Sequence, residues 1–131
     1  MNFKKSFTPM LAACVLATPV FADDFDGSRQ LICATVEARD CIFGEACFHG
    51  SSYEIGAPAF LQIDFAQKSI IGPQRTTPIL FMEKGDGQLL LQGTELGYGW
   101  SLALDQASGR FTASLTNIEG VFVLFGSCKA M

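Results

Sequence analysis

The run from Gly93 to Trp100 contains the residue types best suited to recognising a ligand. Glu95, Tyr98 and Trp100, the only tryptophan, lie there among three glycines. Glycine within a strand pattern marks a bend or a close backbone approach, and aromatic side chains exposed at a loop rim often bind ligands. We therefore predict ligand binding by these three side chains. The alternation with Leu102 favours a second interpretation, in which Trp100 fills the core and the glycines make room for it.

The other residues with reactive side chains indicate no catalyst. His49, the only histidine, follows Cys47 by two residues, a position more typical of a surface or capping residue. The segment Gly99-Trp100-Ser101-Leu102-Ala103 is superficially similar to the nucleophile elbow Gly-x-Ser-x-Gly, but its final glycine is missing and no helix pattern follows. Because strand alternation also explains Ser101, we predict that the protein is not an enzyme.

The sequence likewise indicates no metal site and no cofactor. Asp24-Phe25-Asp26-Gly27 begins like a calcium-binding loop, but the third acidic ligand and the distal glutamate are misplaced. No Cys-x-x-Cys spacing points to zinc, and no glycine-rich phosphate-binding or dinucleotide motif occurs. We therefore expect any ligand to be held by the protein's own side chains.

The N-terminus has the pattern of a secretory signal peptide. Two lysines precede an apolar stretch over residues 7–16, and Val20-Phe21-Ala22 fits the −3 and −1 positions of a cleavage site. We expect a signal peptide over residues 1–22 and one domain over residues 23–131. The localisation predicted is therefore periplasmic or secreted.

A lipid anchor at Cys14 is an alternative, because Leu11-Ala12-Ala13-Cys14 resembles the lipobox of bacterial lipoproteins. The apolar run before Cys14 is short, however, and apolar sequence continues beyond it, so cleavage after Ala22 fits better. The two prolines of this segment and its short apolar core argue against a membrane-spanning anchor.

Loss of residues 1–22 would leave seven basic and thirteen acidic residues, a net charge of about −6. Such a charge disfavours nucleic acid and anionic lipid surfaces as partners. The partner predicted is therefore an unidentified protein or small molecule.

Four cysteines, Cys33, Cys41, Cys47 and Cys128, would remain after cleavage. An even number in a small exported domain indicates a framework of two disulfides, for which three pairings are possible. We favour Cys41–Cys47, which closes a small loop, together with Cys33–Cys128, which joins the first and last ordered segments.

The rest of the chain has a β pattern throughout. Short alternating runs separated by turns predict eight strands in a small antiparallel up-and-down β-barrel, stapled by disulfides and closed by pairing of the first strand with the last. Residues 40–59 are expected to form a loop, and residues 74–77 a polar connection. The strands are expected at residues 30–39, 60–65, 69–72, 79–83, 88–93, 98–105, 110–117 and 121–128.

The last predicted strand, Val121 to Cys128, is apolar on both faces. Either Phe122 and Leu124 or the alternate set of Val121, Val123 and Phe125 must face outward. An uncovered apolar exterior would serve as an interface.

The strings Leu91-Gln92-Gly93-Thr94-Glu95, Gly99-Trp100-Ser101 and Phe125-Gly126-Ser127-Cys128 resemble a family of small exported proteins of Gram-negative bacteria without an assigned activity. That resemblance covers most of residues 23–131 and implies an exported β-barrel. At the level of architecture alone, the chain is similar to periplasmic β-barrel inhibitors of lysozyme or proteases, although no inhibitor motif can be transferred.

We therefore predict a non-enzymatic exported barrel that binds a protein or small ligand through its loops or open end, in the manner of an inhibitor. The alternatives are an envelope enzyme whose site the sequence does not reveal and a structural envelope component. A cavity lined by convergent polar groups would favour a ligand or catalysis. A filled interior with an exposed aromatic or acidic patch would favour a protein partner.

Overall fold

A computed structural model describes residues 24–131, so the predicted signal peptide (1–22) and the alternative lipid anchor at Cys14 lie outside the described residues. Within the described residues, no helix is long and apolar enough to cross a membrane. That range contains ten strands and one helix: β1 (Leu31–Ile42), β2 (Phe48–Gly50), α1 (Ser52–Ile55), β3 (Phe60–Asp64), β4 (Ser69–Ile71), β5 (Thr76–Pro78), β6 (Phe81–Lys84), β7 (Gln88–Glu95), β8 (Tyr98–Asp105), β9 (Arg110–Thr116) and β10 (Gly120–Ala130).

All the strands belong to one antiparallel sheet that curls into a half-barrel. Its order is β5-β4-β3-β1-β10-β9-β8-β7-β6, with β2 pairing separately onto β1. The predicted all-β class and the pairing of the first strand with the last are confirmed. The predicted number of strands is wrong, because β2 lies in the expected loop and β5 in the expected polar connection.

The two ends of this sheet meet at one continuous segment, residues 76–84. β5 pairs with β4, and the Ile79 N–H donates to the Lys68 carbonyl oxygen over 2.8 Å. One residue later the Leu80 N–H donates to the Gln92 carbonyl oxygen, and β6 continues along β7. The chain thus changes partner at Ile79 and Leu80, which brings opposite ends of the sheet together.

The long pairing between β1 and β10 includes the bridge between Cys33 and Cys128, which face each other directly in the register. The second bridge joins Cys41 and Cys47 and closes the loop after β1. Both predicted pairings are therefore confirmed. A bulge between Thr35 and Glu37 interrupts the β1 register, so the alternation expected across residues 30–39 is broken there.

Side chains alternate between the interior and the exterior as the strand pattern requires. In β8, Trp100, Leu102 and Leu104 are buried, and in β9 Phe111 and Ala113 are buried. The interior of the half-barrel therefore contains the face predicted from the sequence.

The structure shows which residues of β10 face outward, a choice that the sequence leaves open. Leu124 is 2% exposed and belongs to the core, whereas Phe125 is 38% exposed. Val121, Val123 and Phe125 thus form the outward set. Phe125 lines a groove of about 430 Å³ on the outer face, together with Ala103 and Thr112.

One end of the half-barrel, which we name the closed end, is covered by residues 24–30 and the turns at 65–68, 84–87 and 106–109. Phe25 packs against Gly109, and Gly27 contacts Phe65 and Leu89. Arg29 donates to the Asp24 carboxylate and to the carbonyl oxygen of the last residue, Met131, which fastens this segment in place.

A carboxylate also organises the closed end. Asp105 accepts hydrogen bonds from the backbone N–H groups of Ala107 and Ser108 in the turn after β8. The Ser108 and Ala107 bonds stabilise the charged carboxylate and lower the pKa of Asp105 from its ordinary value of 3.8.

Candidate ligand-binding cavity at the open end

The opposite end, which we name the open end, carries the segments 43–47, 51–59, 72–75, 96–97 and 117–119. A cavity of about 610 Å³ lies between three of these segments, 51–59, 72–75 and 96–97, and the interior face of the sheet. Its inner walls are apolar side chains from five strands: Leu61, Ile70, Trp100, Leu102, Ala113, Leu115, Phe122 and Leu124. A concave, mainly apolar space of this size, with a few polar groups, is typical of small-molecule sites.

One wall of the cavity is the segment around α1, which the sequence analysis treats as loop. A capping box fixes its start: the Glu54 N–H donates to the Ser51 hydroxyl, and the Ser51 N–H donates to the Glu54 carboxylate. The bonds from Ser51 lower the pKa of Glu54 from 4.5. Gly56 ends the helix in the left-handed conformation, with a φ of 74°.

The segment after α1 is then fastened to the sheet. The Thr35 N–H donates to the Ala59 carbonyl oxygen over 2.9 Å, and the Thr35 hydroxyl donates to the Pro58 carbonyl oxygen over 3.1 Å. Ala57, Pro58 and Ala59 consequently line the cavity at fixed positions. Small side chains at these positions leave the space beside them open.

All three residues predicted to bind a ligand, Glu95, Tyr98 and Trp100, line this one cavity. Tyr98 is half-buried and packs against Phe122, with ring centroids 5.8 Å apart and planes tilted by 37°. Glu95 lies at the mouth. The structure therefore brings the predicted residues together, while their binding role stays a prediction.

Trp100 is a buried wall residue, because its side chain is only 8% exposed. A Cβ added at Gly93 would lie 2.5 Å from Cζ2 and 2.7 Å from Cε2 of the indole. The glycine at position 93 thus makes room for the ring, as the second interpretation of this run expects. Nε1, which is bonded to Cε2, is buried without a hydrogen-bond partner in residues 24–131.

Gly97 and Gly99 have other roles than Gly93. Gly97 has a φ of 82° in the turn between β7 and β8, a conformation that glycine adopts without strain. A Cβ at Gly99 would meet no atom within 4 Å. Of the three glycines in the run, only Gly93 is required by the tryptophan.

Two charged side chains line the cavity among the described residues, and both are at its mouth. Arg75 Nη1 lies 3.6 Å from Glu95 Oε1, and their side chains are 45% and 29% exposed. This distance exceeds the 2.7–2.9 Å that is typical of a charge-assisted hydrogen bond. The pair is therefore loose, and both groups face solvent.

The other residues considered for chemistry lie away from the cavity lining. His49 is on β2, where Nε2 is 2.9 Å from the Glu37 carboxylate. Arg39 also donates to Glu37, and this bond, with His49 contributing less, lowers the pKa of Glu37 from 4.5. Ser101 is opposite Ser114 on the face that Trp100 does not occupy. In the part of the chain that the structure describes, no three His, Cys, Asp or Glu side chains cluster as metal ligands.

Sequence reasoning missed Arg75, Phe122 and the α1 segment as parts of the site. The pattern Ser51-Ser52-Tyr53-Glu54 is a capping-box signature that could have revealed the helix. Arg75 carries no such local signal, because it lies beside the turn after β7 only through the change of sheet partner, from β4 to β7, at Ile79 and Leu80.

Comparisons of this chain with protein-family models, with curated proteins and with solved structures find no match. The resemblance to exported proteins of Gram-negative bacteria accordingly stays a prediction. The geometry of the open end is what supports a function.

Proposed function

We propose that this protein is an exported binding protein that holds a small, mainly apolar molecule in the open-end cavity. The observation that carries the proposal is the cavity itself, about 610 Å³ and walled by apolar side chains. Its size falls within the range of about 300–1,000 Å³ that ligand sites occupy. Transfer of a ligand's apolar surface from water into such a site favours binding by about 25 cal/mol of free energy per Å² buried.

The arrangement of the mouth supports binding rather than catalysis. The charged groups lining the cavity are one arginine and one carboxylate of opposite sign, Arg75 and Glu95. General acid–base work needs a group with a pKa tuned close to the working pH, and His49 lies on another surface, beside Glu37.

Two disulfides are consistent with an oxidising, exported compartment. Together with the predicted signal peptide over residues 1–22, they support periplasmic or secreted localisation in this proposal. A ligand binder of this kind would meet its ligand in the envelope or outside the cell.

Trp100 offers a direct test, because it is the only tryptophan and lines the cavity. The probe is the neutral hydrophobic dye N-phenyl-1-naphthylamine, added to the disulfide-bonded protein. We expect saturable dye emission, with energy transfer from Trp100. No saturable signal from the folded protein would overturn the proposal.

Matched variants locate the site. Ala113→Phe fills the cavity from the interior face of β9, and Ala59→Phe fills it from the exposed segment after α1. Thr112→Phe introduces the same side chain on the outward face of β9 and is the control. Both filling variants should weaken dye binding while the control does not. Equal dye affinity in all three, with circular dichroism showing each folded, would contradict the assignment.

A protein partner is a second candidate, favoured by exposed apolar side chains at the open end. Phe43 and Ile118 are fully exposed, and Tyr53 and Leu96 flank the cavity mouth. Large exposed apolar side chains near one another mark interaction surfaces. Inhibition of lysozyme or of a serine protease by the protein, abolished by Phe43→Ser with Ile118→Ser, would support this inhibitor-like candidate. Unchanged enzyme rates at excess protein would count against it.

A further inference from the structure

The cavity has its two charged side chains at the mouth and only apolar side chains at the floor, and the two are separated along β8. Glu95 and Arg75 lie at the mouth, whereas Leu102, Leu61 and Leu124 lie at the floor. Tyr98 and Leu102 are four residues apart on one strand, so the depth between them is about 13 Å at a rise of 3.3 Å per residue. A ligand that fits both parts has a charged or polar head and an apolar tail.

The depth also sets the length of that tail. An extended alkyl chain advances about 1.25 Å per carbon, given a bond of about 1.5 Å and tetrahedral angles. The 13 Å between the mouth and the floor therefore accommodates about ten carbons. The aromatic rings of Tyr98 and Phe122 flank this path, and Trp100 forms a wall beside it.

Arg75 is held in a position to contact a head group. The Gly72 N–H donates to the Arg75 carbonyl oxygen over 2.8 Å and closes the turn before β5. The Thr77 hydroxyl donates to the Thr94 carbonyl oxygen, which fastens β5 to the end of β7 beside Glu95. These two hydrogen bonds position the backbone on both sides of the mouth.

The guanidinium of Arg75 has donors available. Its ion pair with Glu95 is a single contact at 3.6 Å, and among the described residues it is the one ion pair that Arg75 makes. A guanidinium carries five N–H donors in a planar fork that matches a carboxylate or a phosphate. Arg75 is also more exposed than Glu95, 45% against 29%, so an arriving anion meets the arginine more readily.

Resting on the proposed function, we infer that the ligand is a single-chain amphiphile of about ten carbons with an anionic head. The head pairs with Arg75 at the mouth, and the tail occupies the apolar cavity. Glu95 competes with the head for the guanidinium. Removing Glu95 should therefore tighten binding, an effect opposite to that of removing Arg75.

The test compares four ten-carbon probes in calorimetry: decanoate, decyl phosphate, decanol and decylammonium. We expect either anion to bind more tightly than decanol, and decylammonium to bind more weakly. Arg75→Gln should weaken anion binding about tenfold, the loss of a charge-assisted hydrogen bond. Glu95→Gln should strengthen it about threefold, since an exposed ion pair is weak. Decanol affinity should stay unchanged in both variants.

Arg39→Gln and Glu37→Gln are matched controls, because these residues form an ion pair on another surface. Neither should change the affinity for decanoate. Tightest binding by decylammonium, or anion affinities indifferent to Arg75→Gln, would overturn the anionic head while leaving a binding cavity in place. Failure of all four probes and of the naphthylamine dye would instead remove the proposed function.

Discussion

Removal of the bridge between Cys33 and Cys128 should destabilise this protein far more than removal of the bridge between Cys41 and Cys47. The first bridge joins β1 to β10 across 95 residues of sequence separation, whereas the second spans only six. Both halves of the long bridge are buried in the core, so replacement of each cysteine by alanine introduces no polar group there. The two alanine double variants differ in the loop that each one opens and also in burial, because Cys47 is exposed whereas Cys33 and Cys128 lie in the core. Loss of the buried sulfur atoms adds to the cost of removing the long bridge.

The expected sizes follow from the entropy of closing each loop. A cross-link lowers the conformational entropy of the unfolded chain by about 2.1 + 1.5R ln n cal/mol/K, where n is the number of residues in the closed loop. At 25 °C the long bridge contributes about 4.7 kcal/mol and the short bridge about 2.3 kcal/mol. A domain of this size is stable by about 5–15 kcal/mol in total, so loss of the long bridge removes between about a third and nearly all of the free energy of unfolding.

Urea unfolding followed by Trp100 fluorescence measures both effects, since the single tryptophan lies in the core. Cys33→Ala with Cys128→Ala should lower the free energy of unfolding about 2 kcal/mol more than Cys41→Ala with Cys47→Ala. The intact protein treated with reductant provides a third arm. Equal losses in the two variants, or a larger loss from the short bridge, would refute the loop-entropy reasoning.

Three other predictions test the packing and the charges. Gly93→Ala should cost about 1–3 kcal/mol of unfolding free energy through overlap with Trp100 and the Pro78 carbonyl oxygen. Gly99→Ala, which meets open space, should stay within about 0.5 kcal/mol. Leu124→Ala should lower the free energy of unfolding by about 2–5 kcal/mol because the side chain is buried. Phe125→Ala on the outward face should lower it clearly less. Equal urea midpoints for the two variants would contradict the assigned faces of β10. Hydrogen bonds lower the pKa values of Asp26, Glu37, Glu54 and Asp105 from 3.8 for the aspartates and 4.5 for the glutamates. Their stabilisation is therefore present above those values and lost as pH falls through the lower folded ones. The urea midpoint should stay constant as the pH is lowered to about 5 and should decrease at pH values below about 4. The Asp105→Asn variant should show a smaller decrease.

The long strands could be predicted from sequence because each carries its own alternation. Trp100, Leu102 and Leu104 share one face of β8, and Phe111 and Ala113 share one face of β9, and the structure buries these residues. Cysteine pairing followed from the same reasoning, since closure of the sheet places the first strand beside the last. Local alternation, together with the expected pairing of the first strand with the last, was sufficient to predict this part of the fold.

Two of the short strands, β2 and β5, could not be predicted because their partners specify them. β2 and β5 have three residues each, too few to show a period, and exist by pairing with β1 and β4. Pro78 at the end of β5 is tolerated because that strand lies at the edge of the sheet order. The bulge after Thr35 leaves Val36 exposed and buries Ala38, which no simple alternation anticipates.

The candidate site likewise contains residues that a local pattern reveals and one residue that only a distant pairing brings into place. Glu95, Tyr98 and Trp100 lie close together in sequence, so glycine spacing and aromatic content pointed to them directly. Arg75 lies about twenty residues earlier and reaches Glu95 only because the chain changes sheet partner at Ile79 and Leu80. A site residue supplied by a non-local pairing has no signature of its own in one sequence.

The long bridge and the open-end cavity lie toward opposite ends of this half-barrel. The long bridge, the Asp105 turn and the Arg29 contacts lie toward the closed end. The cavity wall at the open end depends instead on two hydrogen bonds from Thr35, one from Thr77 and the Ser51 capping box. Interactions of this size contribute about 1 kcal/mol each, so the mouth can adjust locally while the closed end stays folded. The proposed function requires such a distribution, because a ligand must enter between loops without opening the sheet that the long bridge holds.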